Sequence, residues 1–86
     1  MENKMDTLED LVRIIRILRG ENGCPWDRVQ THASIRMDML EEAYEAADAI
    51  DKKDMKNLCE ELGDVLMQVV FHAEIETEQG GFTMGG

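Results

Sequence analysis

The stretch from Leu40 to Glu78, LEEAYEAADAIDKKDMKNLCEELGDVLMQVVFHAEIETE, decides the fold. Helix-forming residues fill both of its arms, and a short polar break, Asp51-Lys52-Lys53-Asp54, divides them. Asp54 is suited to cap a following helix, because its side-chain oxygen reaches the first free backbone N–H groups. The spacing predicts one helix from Ala33 to Ile50 and another from about Met55 to Glu78. A connection this short favours antiparallel neighbours.

On the first of these helices Met37, Leu40, Ala43, Tyr44 and Ala47 fall on one face, with Asp38, Glu41, Glu42, Glu45 and Asp48 opposite or beside it. On the second, Leu58, Leu62, Val65, Leu66, Val69 and Ala73 make the apolar stripe, and Gly80 and Gly81 stop the helix. Upstream, Thr7 and Asp10 resemble a capping box ahead of Leu8, Leu11, Ile15 and Leu18, which recur at helical spacing up to Arg19. Between lies Gly20 to Thr31, GENGCPWDRVQT, which holds the only proline and the only tryptophan and must be a connection. Loops of this length with a large aromatic are often functional, and Trp26 has an alternative use as a plug at the end of a small core. No strand alternation or repeat interrupts the pattern. The expectation is an all-α fold, an antiparallel helical bundle of about three long helices.

The chain has 86 residues, which fits one domain, 1–86, with loose tails at about 1–6 and 83–86. Three broad apolar faces are incompletely buried in so short a chain, so a homo-oligomer, dimer or tetramer, is expected to complete the bundle. Asp and Glu number 19 against 9 Lys and Arg, a formal charge of -10. Such a surface repels nucleic acid and anionic lipid, and a phosphate-bearing ligand needs cations to approach it. The longest apolar stretches are short and broken by charge, so no membrane span is expected. Cys24 and Cys59 show no CxxC spacing, and no leader-like segment opens the chain, which suits a cytoplasmic protein.

Residues three apart on a helix share a side, so Glu42 with Glu45, and Glu61 with Asp64, form two carboxylate pairs. Glu45 precedes the polar break by six positions and Glu61 follows its end by seven, which sets the pairs at similar heights on antiparallel helices. Four converging carboxylates with no basic residue among them are unfavourable unless they bind hard cations or take up protons. Oxygen-only ligands suit Mg²⁺ or Mn²⁺, and Mg²⁺ completes its shell with water and substrate phosphates. Solvated helix surface is the competing account of the same spacing. Ca²⁺ is disfavoured by the lack of an EF-hand loop, and Zn²⁺ at Cys24, His32, Cys59 and His72 by unfamiliar spacings.

Three segments, GCPWDRVQTHASI (23–35), LEEAYEAADAI (40–50) and LCEELGDVLMQVVFHAEIE (58–76), together resemble the MazG-type nucleoside triphosphate pyrophosphohydrolases. The likeness runs from about Leu8 to Phe82. It implies an all-α bundle completed by a second subunit, and Mg²⁺-dependent hydrolysis of a nucleoside triphosphate, canonical or damaged, to the monophosphate and pyrophosphate in a house-cleaning role. The EExxE motif falls on Glu41, Glu42 and Glu45, and ExxD on Glu61 and Asp64. The resemblance makes Glu42, Glu45, Glu61 and Asp64 the metal ligands and Glu41 the catalytic group that orients or deprotonates water. Trp26, Asp27, Gln30 and His32 match the loop segment and are expected to border the substrate. Family members continue past GGF into further helical sequence, which leaves this chain as a compact member or a part of a longer protein. A non-catalytic module that holds Mg²⁺ and nucleotide is the alternative function, and a purely structural helical module is a third.

Overall fold

The computed structural model describes residues 7–86, and the expected loose segment at 1–6 lies outside them. Every regular element among the described residues is helical: α1 (Leu8–Leu18), α2 (Pro25–Arg28), α3 (His32–Asp51) and α4 (Met55–Glu78). The expected three helices are therefore joined by a fourth. The connection contains one helical turn, α2, because Pro25 presets the backbone angle of a first helical position and Arg28 N–H reaches the Cys24 carbonyl at 2.9 Å.

Local chemistry sets each boundary. Thr7 accepts from Asp10 N–H to start α1. Thr31 and Ser34 cap α3 reciprocally, the Thr31 hydroxyl accepting from Ser34 N–H and the Ser34 hydroxyl accepting from Thr31 N–H. The end of α3 is a Schellman motif: Asp54 N–H donates to Ala49 and Lys53 N–H to Ile50, both at 3.0 Å, with Lys53 left-handed at φ 57°. Asp54 then accepts from Asn57 N–H and opens α4. The same closure recurs after α4, where Gly81 and Gly80 donate to Glu76 and Thr77 and Gly80 supplies the positive φ of 79°. Gly23 is forced for another reason. A Cβ there would lie 2.2 Å from the Ile17 carbonyl oxygen, because the chain doubles back on the end of α1.

The hairpin of α3 and α4 is the most extensive interface, with α1 laid on α4. Ile15, Ile35, Val70, Phe71 and Ile75 form the core, and Leu11, Val12, Leu18 and Met84 pack against it. It lies where α1, the start of α3 and the second half of α4 meet. Within the core Glu74 is 1% exposed, and Arg16 holds it through two bonds of 2.8 and 3.1 Å.

The buried faces differ from those expected. On α3 the residues withdrawn from solvent are Ile35, Ala46 and Ala49, while Met37, Leu40 and Tyr44 stay exposed. On α4, Ala73 of the expected stripe is buried, but Leu62, Leu66 and Val69 are open and Val70, Phe71, Glu74 and Ile75 lie inside. The reason is that α3 carries apolar residues on nearly all sides. Its alanines permit a close approach to α4, which turns the bulkier set outward. Trp26 is 77% exposed and plugs no core in this chain.

Candidate metal centre

The rotation of α3 that exposes Met37 and Tyr44 also turns Glu42 toward α4. Glu42 is half-buried, Glu45 on the next turn is exposed, and Glu61 faces them from α4, half-buried. One carboxylate oxygen from each of the three lies within 4.8 Å of the others. Asp64 stands outside this three-way group, yet its charge is the next cause after burial that raises the Glu42 carboxyl above the usual range. Glu45 and Glu41 add to that rise. Glu61 is raised as well, first by burial and then by the charges of Glu45, Glu42 and Asp64. Glu41 is exposed and shares an open hollow with Leu40, Tyr44 and Glu45.

Three observations make this donor set fit a hard cation. All donors are carboxylate oxygens, the type that Mg²⁺ and Mn²⁺ take. Among the described residues no Lys, Arg or His forms an ion pair with any of the four acids; Lys and Arg pair with Asp10, Asp48, Glu74 and Glu78 instead, and His32 meets Glu76. Finally, Glu42 Oε2 is shut off from solvent and has no hydrogen-bond partner. A buried carboxylate oxygen left so is costly, and either a proton or a cation relieves it.

A second hollow, of about 220 Å³, begins one helical turn away along both arms of the hairpin: Asp38 lies four positions before Glu42, and Gln68 four after Asp64. Trp26, Asp27, Gln30 and Phe71 also line it. Of its lining residues Gln68 has its Oε1 buried and without a partner. Gln30 is occupied structurally, since its amide donates to the Trp26 carbonyl at 3.0 Å and its side-chain oxygen accepts from Ser34 at 2.6 Å.

His32, the fourth loop residue singled out by sequence, does not line that hollow. Its Nδ1 meets Nδ1 of His72 at 2.7 Å and its Nε2 meets Glu76 at 2.6 Å, tying the start of α3 to α4. One proton must occupy the His–His contact. Either ring can supply it, the donor and acceptor roles following from the tautomers. Burial, then the neighbouring His32, pushes the His72 pKa down, which keeps that ring neutral.

Sequence reasoning missed Gln68, Glu76 and Arg19. Arg19 donates to the carbonyls of Asp27 and Gln30 and to the carboxylate of Glu78. No local pattern links residues 59 positions apart, so only the fold reveals the pairing.

Residues 30–86 match the MazG nucleotide pyrophosphohydrolase domain. The chain is 54% identical over 76 residues to a Thermotoga maritima protein named nucleoside triphosphate pyrophosphohydrolase/pyrophosphatase MazG, covering 88% of this chain and 30% of that protein. It is 49% identical over 79 residues to the nucleoside triphosphate pyrophosphohydrolase of Escherichia coli K12, covering 91% and 30%. It is 56% identical over 71 residues to the Bacillus subtilis protein YabN, which bears no functional name, covering 83% and 14%. The chain thus spans less than a third of the length of each of these relatives. With its acidic hairpin and its match over 30–86, the chain belongs to the MazG nucleotide pyrophosphohydrolase family.

Proposed function

We propose that this chain is a Mg²⁺-dependent hydrolase that converts a nucleoside triphosphate to the monophosphate and pyrophosphate. The observation that carries this is the convergence of Glu42, Glu45 and Glu61 oxygens within 4.8 Å, with one Glu42 oxygen buried and partnerless. Glu42, Glu45, Glu61 and Asp64 are the residues to hold Mg²⁺, with Mn²⁺ a chemical substitute. Bound there, the cation would offset negative charge on the phosphates of the substrate.

The protein's own residues supply the rest. Glu41, exposed beside Glu45 and outside the three-way group, is free to accept a proton from the attacking water. Trp26 offers an open indole face on which a nucleobase can stack. Gln68 Oε1, in the hollow beneath it, is an unsatisfied acceptor for a base or sugar donor. Asp27 and Gln30 form the rim of that hollow, and His32 shapes its edge from behind by holding the start of α3.

The exposed apolar side chains of α3 and α4, Met37, Leu40, Tyr44 and Leu62, are between 51% and 73% exposed and support a homo-oligomer that buries them. No helix among the described residues is long and apolar enough to cross a membrane. Both cysteines are free thiols, which accords with a reducing cytoplasm.

Pyrophosphate release from a panel of triphosphates, canonical and damaged, tests the activity. Release that needs Mg²⁺ and is lost in Glu42→Ala and Asp64→Ala is expected. Equal release by these variants would remove the acidic hairpin from the reaction.

A further inference from the structure

Arg19 sits at the C-cap of α1, and its side chain is only 6% exposed. A guanidinium is a rigid planar fork of five donors, able to serve several acceptors at fixed angles. Here the fork is shared among three parts of the fold. Nε and Nη2 donate to the two Glu78 carboxylate oxygens on α4 at 2.7 and 2.9 Å. Nη1 donates to the backbone carbonyls of Asp27 and Gln30 at 2.7 and 2.9 Å. The guanidinium also lies over the Phe71 ring, 5.3 Å from its centroid.

Asp27, Gln30 and Phe71, the groups on which Arg19 converges, are three of the residues that line the hollow beneath Trp26. Nothing else among the described contacts bridges the loop carbonyls to α4. The carboxylates of the metal centre make no contact with Arg19.

We propose that Arg19 is the positioning residue of the recognition hollow: it fixes the Trp26–Gln30 turn against α4 and so sets the affinity for the nucleotide without entering the metal centre. This rests on the hollow being the nucleotide-recognition part of the site. Lysine would keep the charge but not the fork, so Arg19→Lys does not replace it.

The test compares the full chain with Arg19→Lys, Arg19→Gln and Glu78→Gln. Trp26, the only tryptophan, reports the loop directly through its fluorescence anisotropy. Arg19→Lys and Arg19→Gln are expected to lower that anisotropy and raise KM about tenfold, with kcat within about twofold of wild type, the loss of one or two charged hydrogen bonds outside the chemistry. The stabilisation by Mg²⁺ alone stays as in wild type. Glu78→Gln, which alters an exposed partner, moves both readouts the same way by less and decides the matter if Arg19→Gln does not fold. Unchanged anisotropy in a folded variant, full rescue by lysine, or a fall confined to kcat would overturn the proposal. If wild type neither binds nor hydrolyses a triphosphate, the assignment of the hollow to nucleotide fails. The anisotropy comparison then still decides whether Arg19 orders the turn.

Discussion

Glu42 on α3 and Glu61 on α4 belong to opposite arms of one hairpin and bring carboxylate oxygens within 4.8 Å of each other. Two like charges held so close oppose folding until a cation or a proton intervenes. Anything that binds the folded chain alone stabilises it. At ten times its dissociation constant, Mg²⁺ is therefore expected to raise the melting midpoint by about 5–10 °C for a domain of this size. Thermal melts followed by circular dichroism, with Mg²⁺ or with a chelator, measure this. Glu42→Gln should melt higher than wild type in chelator and respond less to Mg²⁺. A wild-type midpoint indifferent to Mg²⁺ would count decisively against the centre.

The same carboxylates give the metal-free protein a distinctive pH dependence. Burial first, and then neighbouring acids, push Glu42 and Glu61 above the usual value of 4.5. Between that value and the raised ones, the folded chain holds protons that the unfolded chain has released. Stability from this source is present below pH 4.5 and is lost as pH rises through the folded values. His72 acts in the opposite sense: with its pKa lowered from 6.5, its contribution is present above 6.5 and is lost as pH falls through the folded value. Urea unfolding in chelator across this range, wild type beside a Glu42→Gln/Glu61→Gln double variant, isolates the carboxylates. Relative to the variant, wild type should weaken as pH rises from 4.5; parallel curves would refute the coupling.

Lys53 occupies the left-handed position that closes α3, at φ 57°. A side chain there crowds the following carbonyl, and glycine does not. Lys53→Gly is expected to stabilise the chain by about 1 kcal/mol, the usual cost of a non-glycine residue in that region. Its side chain is exposed and forms no ion pair among the described residues, so little is lost in exchange. Denaturant unfolding gives the answer, and a net destabilisation would mean that the cap is not strained.

Gly63, in the middle of α4 and next to Asp64, faces open space: a Cβ there meets nothing within 4 Å. In an exposed helix interior, glycine costs about 1 kcal/mol relative to alanine, so Gly63→Ala should stabilise the free chain by about that much. It also lines a hollow of about 380 Å³ with Asp64 and Met67. The expected outcome is a higher melting point together with weaker binding of the Mg²⁺-triphosphate, on the proposal that phosphates gathered at Asp64 extend into this hollow. Calorimetric titration of a non-hydrolysable triphosphate decides it; unaltered affinity would show that the space serves something else.

The parts of this molecule legible in the sequence are those written locally. Thr7, Asp54 and Gly80 act within a few residues of themselves, so the ends of α1 and α4 follow from spacing alone. The acid pairs are legible for the same reason, being three positions apart on helices joined by a short turn. The choice of face on α3 was not. Apolar residues lie around most of that helix, and periodicity cannot prefer Ala46 and Ala49 over Met37 and Tyr44. What selects them is size, which matters only once α4 is alongside. The turn of α2 was hidden within a segment whose glycines and proline speak first of a break. Arg19 with Glu78, and His32 with Glu76, join distant parts of the chain and leave no trace in either neighbourhood.

The hairpin that carries the carboxylates has a further consequence, one of time rather than energy. Glu42 and Glu61 are 19 positions apart and face each other across a single turn. The hollow proposed for recognition instead rests on ties between distant positions, Arg19 with Glu78 across 59 and His32 with Glu76 across 44. Contacts of low sequence separation form early, whereas distant ones wait on the entropy of closing a long loop. The helical turns on either side of the α3–α4 connection are therefore expected to pair before the long-range ties form. Amide hydrogen exchange under mild denaturant would read that order as earlier exchange in the loop that Arg19 holds than in the helical turns that carry Glu42 and Glu61.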